Sequence, residues 1–202
     1  LDLIDLAAVR RVLDRVTPRP LLVIDNTFAT PHGQRPLQLG ADVVVHSLTK
    51  GIGGFGTDMG GAVLADAAMR NLLMMYRKDF GGVLSPKAAW DFLVYGLPTL
   101  ATRMDSAGKA ALVIAQWLEQ HPKIARVHYP GLDSFPQAEL ARRQLTDPRG
   151  RFAPGAMIYF ELKEPGGDGD AGARVIDWIA KEAYAITLAV SLGQIKSLIE
   201  HP

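Results

Sequence analysis

The sequence predicts an α/β protein in which short buried strands alternate with amphipathic helices. Two observations carry this. The runs Leu21-Leu22-Val23-Ile24 and Val43-Val44-Val45 are leucine-rich or β-branched without alternation, the pattern of strands covered on both faces. Each run stops abruptly in polar groups, the first at Asp25-Asn26-Thr27 and the second at His46-Ser47-Leu48-Thr49-Lys50. In open α/β sheets, ligands bind beyond the carboxyl ends of parallel strands. Asp25, Ser47, Thr49 and Lys50 are therefore candidates to converge on one small molecule.

In chain order, Leu6, Val9, Leu13 and Val16 recur at helical spacing, predicting a helix over 5–16. Pro18 and Pro20 end it and feed the first strand. A connection with Pro31, Gly33 and Pro36 leads to the second strand. Glycines then crowd at 51, 53, 54, 56, 60 and 61, and a third apolar run follows at 62–65. The short connection predicts that this run lies antiparallel beside the strand ending at Ser47. A helix is expected over 66–77. Ser85-Pro86 opens another with an N-cap and a first-turn proline, and Trp90, Leu93, Val94 and Leu97 are its expected buried stripe. Gly96 and Pro98 interrupt it, and a further helix runs from about 99 to 120.

A domain boundary is expected near residue 100, dividing 1–100 from a smaller α+β unit at 101–202. In the second part, strands are expected at 124–129, 156–162 and 185–190, and helices at 136–144 and 171–181. A polar loop at 146–154 and a glycine- and aspartate-rich loop at 165–170 connect them. Leu1 begins almost inside a helical pattern and the chain stops at Pro202 just after a turn, so an excerpt of a longer polypeptide is expected.

Composition narrows the chemistry. With 202 residues the chain can bury a sizeable core. A net charge of +1, without a basic run interleaved with aromatics, disfavours a nucleic-acid partner. The sequence has no Cys, which removes disulfides, thiolate metal sites and a cysteine nucleophile together. No apolar run approaches membrane-spanning length, and a cytoplasmic protein is the default expectation. His32, His46, His121, His128 and His201 have no helical metal-binding spacing, so a metal site is not expected. Arg103 and Lys109 read as surface charges.

Gly51-Ile52-Gly53-Gly54-Phe55-Gly56 matches a dinucleotide fingerprint, but another strand follows too soon for the helix that fingerprint must open. A Walker A loop fails as well, because its glycines precede the lysine. Ser47-Leu48-Thr49-Lys50 is sharper. Two hydroxyls beside a lysine at a strand end suit a phosphate, and a lysine can form a Schiff base with an aldehyde. A carboxylate such as Asp25 can keep a pyridine nitrogen protonated and so make the ring an electron sink. A polar turn with an exposed lysine and a capping aspartate is the alternative, and the combination argues against it.

The chain resembles the pyridoxal-phosphate enzymes of cysteine and methionine metabolism: cystathionine synthases and lyases, methionine γ-lyase and homoserine-ester sulfhydrylases. The matching segments are DNTFATP (25–31), QRPLQLGADVVVHSLTKGIGG (34–54), GGAV (60–63), LPTLATRM (97–104), HPKIARVHYPGL (121–132) and LAVSLGQIKSLIEHP (188–202). The resemblance implies a large domain of the three-layer αβα, aspartate aminotransferase kind, of which this chain carries the C-terminal portion, plus a smaller α+β domain. It implies pyridoxal 5'-phosphate as cofactor, Lys50 as the lysine that carries it, Asp25 at the ring nitrogen, and Ser47 and Thr49 at its phosphate. Ser191 would sit at the substrate carboxylate, with a turn residue as the alternative reading. The chain departs from the family at Gly51, often aromatic there, and at Phe55, often His. The upstream phosphate loop, the ring-stacking aromatic and a downstream arginine of the family lie outside this sequence.

The activity implied is carbon–sulfur lyase chemistry, by γ- or β-elimination on methionine- or cystathionine-type amino acids. The alternatives are γ-replacement, as in cystathionine γ-synthase or O-acetyl/O-succinylhomoserine sulfhydrylase, or a catalytically inactive fragment. A homodimer or homotetramer is implied for the longer protein.

Overall fold

The computed structural model describes residues 2–163 and 170–201, and the predicted loop at 165–170 lies outside them except for Asp170. The chain opens with α1 (Leu6–Leu13), whose N-cap Asp5 accepts the amide of Ala8. Val16 lies past the helix end and is exposed. Strand β1 (Val23–Asp25) follows, then the single-turn α2 (Thr30–Gly33), then β2 (Val43–Ser47) and β3 (Gly61–Ala65). β1 and β2 pair in parallel with Asp25 opposite Val45, and β3 runs antiparallel to β2 with Gly61 opposite Ser47. The connection at 48–60 is taken up by a wide helical turn and a glycine loop and holds no crossover helix, hence the direction.

Among the described residues one face of this sheet is covered more fully than the other. Leu22, Ile24 and Val44 pack beneath Val9 and Leu13 of α1. On the other face Val43 of the central strand is buried, but Val23 and Val63 of the flanking strands are each 53% exposed, so burial on both sides holds for β2 and not for β1 or β3. The apolar runs read as two-sided because both faces are apolar, whereas the described residues cover the second face only at the central strand.

Helix α3 (Arg70–Asp79) is preceded by a 3-10 turn, and α4 (Pro86–Asp91) begins with Ser85 accepting the amide of Ala88. A wide helical turn over Phe92–Gly96 carries α4 directly into α5 (Leu97–Gln120). The expected stripe on this run is wrong. Trp90 and Leu93 are 61% and 64% exposed, and Val94 and Leu97 are exposed too. Ala88, Phe92, Gly96 and Leu100 are buried instead, at i, i+4 spacing. Gly96 lets that face approach backbone: a Cβ on it would stand 2.6 Å from the Ile52 carbonyl oxygen.

α5 is one unbroken helix across residue 100. Its Ala111, Ala115 and Leu118 pack on β4 (Ile124–His128), which pairs antiparallel with β5 (Tyr159–Leu162). Tyr129, wholly buried in that core, donates its hydroxyl to the carbonyls of Gly155 at 2.8 Å and Gly108 at 3.2 Å. α6 (Ala138–Gln144) ties back to the start of the chain: Gln144 accepts the Leu6 amide and donates to Gln34. α7 (Ala171–Glu182) precedes a parallel pair, β6 (Ile186–Leu188) and β7 (Ser197–Ile199). β7 was not expected from the sequence. Among the described residues no helix is long and apolar enough to cross a membrane.

Candidate active site

The parallel pair β1–β2 brings its two polar ends together. Asp25 faces the same side of the sheet as Val45, its register partner, and so the same side as Ser47 two residues on. Thr27 joins them. Its amide donates to Asp25 Oδ1 at 2.9 Å, and its hydroxyl accepts the Ser47 amide at 2.8 Å. The Thr27 side chain, then its amide, hold the Asp25 carboxyl below its ordinary range against a smaller opposing effect of burial. Asp25 is therefore a fixed anion at a strand end.

Beyond Ser47 the chain coils through a wide turn, Leu48–Ile52, in which Lys50 leaves the helical conformation with φ −90° and ψ −133°. Thr49 anchors this turn to the start of β3, its hydroxyl accepting the Gly60 amide at 3.0 Å. Ser47 spends its amide on Thr27, not its hydroxyl. Both Oγ atoms thus sit within a few residues of Lys50, as the sequence expects.

Ser191 comes from 141 residues downstream, and the Lys50 ammonium donates to its hydroxyl. It holds φ at 130°, uncommon for any residue but glycine, in a connection shaped to reach the lysine. Gly193, at φ 90°, lies flat on the Lys50 peptide: a Cβ there would stand 2.6 Å from Lys50 Cα. The C-terminal segment is thus packed against the lysine backbone as well as its side-chain tip.

The expectation that Arg103 is a surface charge is wrong. Its guanidinium turns inward from α5 to the carbonyls of Gly51 at 2.7 Å, Ile52 at 3.0 Å and Gly96 at 2.8 Å. Those carbonyls have few donors in a glycine-rich turn, and an arginine fork satisfies several at once. Lys109 is exposed. Sequence reasoning missed Thr27 and Arg103. Asp25-x-Thr27 carries a local signal, since Asp side chains accept the amide two residues on. Arg103 carries none, because its partners are 51 and 52 positions away.

His46 is 5% exposed, and burial lowers its pKa against a smaller opposing pull from Asp25. Its Nδ1 is buried without a hydrogen-bond partner among the described residues. His32, also buried, sets Nε2 2.9 Å from Asp105.

A lysine in contact with a hydroxyl, an ionised carboxylate at the end of the neighbouring strand, and two hydroxyl residues just before the lysine suit an aldehyde-bearing phosphorylated pyridine. The chain belongs to the Cys/Met metabolism PLP-dependent enzyme family, whose sequence profile matches residues 1–202. Pyridoxal phosphate is the cofactor of that family. The chain is 40% identical, over its whole length, to 48% of an L-methionine gamma-lyase of Fusobacterium nucleatum subsp. polymorphum. It is 41% identical over its whole length to 46% of an O-succinylhomoserine sulfhydrylase of Pseudomonas aeruginosa. A crystal structure of cystathionine gamma synthase from Xanthomonas oryzae pv. oryzae in complex with aminoacrylate and cysteine superposes with a TM-score of 0.85 at 37% identity. That match covers 98% of this chain and 47% of the other. The chain spans about half the length of the curated relatives it matches.

Proposed function

We propose that the full-length protein is a pyridoxal-phosphate enzyme of sulfur amino acid metabolism that cleaves carbon–sulfur bonds, by γ- or β-elimination on methionine- or cystathionine-type substrates. The observation that carries this reading is the Lys50 ammonium set against Ser191 at the end of the parallel strand pair. Bound pyridoxal phosphate would supply the electron sink that stabilises a carbanion at the substrate α-carbon.

The roles of this chain's residues follow. Lys50 would hold the cofactor through Nζ, and its amine is placed to take and return a proton at the substrate α-carbon. Contact with Ser191 Oγ keeps that amine aimed, and the same hydroxyl is suited to the substrate carboxylate. Asp25, held ionised by Thr27, would keep the ring nitrogen of a bound cofactor protonated. Ser47 and Thr49 offer hydroxyl donors to the phosphate.

The architecture belongs to the same reading. The apolar sheet face left partly uncovered by the described residues, with Val23 and Val63 exposed, supports a three-layer αβα large domain completed by further polypeptide. Residues 1–100 belong to that domain and 101–202 to a smaller one, in a cytoplasmic homodimer or homotetramer.

Full-length protein supplied separately with methionine, cystathionine and O-acetylhomoserine tests the activity. Release of a thiol and an oxo acid from the first two supports the lyase. Thioether formation from O-acetylhomoserine and a thiol, without elimination, would assign the γ-replacement reaction instead. Lys50→Ala must abolish both covalent cofactor attachment and turnover.

A further inference from the structure

Arg103 has no part in the chemistry above, yet it is bound to the peptides that follow Lys50. Nη1 donates to the Gly51 carbonyl at 2.7 Å, and Nη2 to those of Ile52 at 3.0 Å and Gly96 at 2.8 Å. Nε donates to Thr99 Oγ1 at 2.9 Å, and the Thr99 hydroxyl in turn donates to the Tyr95 carbonyl at 2.6 Å. The guanidinium also lies 5.4 Å from the centre of the Phe55 ring.

Three of the four residues after Lys50 are glycines: Gly51, Gly53 and Gly54. Such a stretch has little conformational preference of its own, so a single geometry must be imposed from outside. The surrounding space fits this demand. A Cβ on Gly53 would stand 2.6 Å from the Leu48 carbonyl oxygen, and one on Gly51 2.9 Å from Thr30 Cγ2. Gly54, at φ 78°, leaves the volume that the guanidinium fills. The turn's own amides are committed backward, Gly53 to Leu48 and Gly54 to Lys50. The carbonyls of Gly51 and Ile52 take the arginine.

We propose that Arg103 is a positioning residue for Lys50: its planar fork locks the Gly51 and Ile52 carbonyls against the α4–α5 helical run and so fixes the direction in which the lysine side chain leaves the backbone. This rests on the reading of Lys50 as the cofactor lysine. The geometry separates fork from charge, since lysine at 103 would keep the charge but cannot span acceptors on Gly51, Ile52, Gly96 and Thr99.

The test uses full-length apoprotein and pyridoxal phosphate as the probe. The rate at which the visible absorbance of lysine-bound cofactor appears is measured for wild type, Arg103→Lys, Arg103→Met and Thr99→Val, beside melting temperatures. In folded Arg103→Lys and Arg103→Met the rate should fall about tenfold or more, the scale on which misplacing a reacting group acts. Thr99→Val, which removes one acceptor and leaves the arginine, should fall between them and wild type, and it carries the test should both arginine variants fail to fold. Full recovery by Arg103→Lys would mean that charge alone matters and would overturn the proposal. So would rates within twofold of wild type in all folded variants, whatever their melting temperatures. Lys50→Ala is run alongside: absorbance persisting in that variant sinks the cofactor-lysine reading itself, an outcome separate from any result at Arg103.

Discussion

Thr27 accepts the Ser47 amide at 2.8 Å with the same side chain that steadies the Asp25 carboxylate. One hydroxyl therefore couples the ends of two strands whose polar side chains, Asp25 and Ser47, share one side of the sheet. Thr27→Val keeps the shape and removes both interactions. Loss of about 1.4 kcal/mol, a typical value for such a hydrogen bond, corresponds to a tenfold weaker cofactor affinity. Titration of the full-length apoprotein with pyridoxal phosphate measures it. Thr27→Ser should bind as wild type, and equal affinities for all three would remove Thr27 from the site.

Gly193→Ala should separate activity from folding. The added Cβ would press on the Lys50 backbone, and φ of 90° costs an L-residue about 1–2 kcal/mol. Turnover should drop about a hundredfold, because the strain falls on the lysine. Denaturant unfolding and steady-state rates on the full-length protein check the pair. A variant that loses stability and keeps its rate contradicts the packing described.

Asp147 predicts an acid limb. Burial opposes its ionisation, but the amides of Arg151 and Arg149 and the Arg151 guanidinium overcome that and bring it from 3.8 to about 2. A carboxyl with a depressed native pKa stabilises the fold above its unfolded value and loses that contribution as pH falls through the native one. The stability gap between wild type and Asp147→Asn should thus be constant above about pH 4 and close towards about pH 2. Urea unfolding at a series of pH values measures it, and a gap independent of pH would rule the mechanism out.

Tyr129 predicts the alkaline counterpart. Burial pushes its hydroxyl up to about 12, so the fold favours the protonated form. Its contribution is complete below the ordinary value of 10.0 and lost as pH rises through about 12. Tyr129→Phe should cost about 1–2 kcal/mol at neutral pH by leaving the Gly108 and Gly155 carbonyls without their donor. It should also abolish this phenol's alkaline loss, which thermal unfolding between pH 9 and 12 would detect.

Much of the fold was legible locally. Ser85 and Pro86 announced α4 because capping and proline chemistry act within one turn. The antiparallel β3 followed from loop length alone. The grouping of Asp25, Ser47, Thr49 and Lys50 rests on strand ends, and β1 does end at Asp25 and β2 at Ser47 in a parallel pair. What failed was any feature decided by a distant surface. Trp90 and Leu93 have the right spacing for a core stripe, but the glycine turn at 51–54 admits only the face with Ala88, Phe92 and Gly96. Arg103 looked like any helix-surface arginine because its acceptors are backbone carbonyls, invisible in side-chain identity. β7 escaped because three residues, Ser197–Ile199, give too short a pattern to separate from a turn.

The separation of Lys50 from Ser191 also sets a clock on biosynthesis. At ribosomal speeds of 5–20 residues per second, a separation of 141 positions takes roughly 7 to 28 seconds to make. Throughout that interval the reactive amine has no hydroxyl to hold it and no glycine lying across its peptide. A nascent chain would therefore present the proposed cofactor lysine without either contact until Ser191 and Gly193 had emerged.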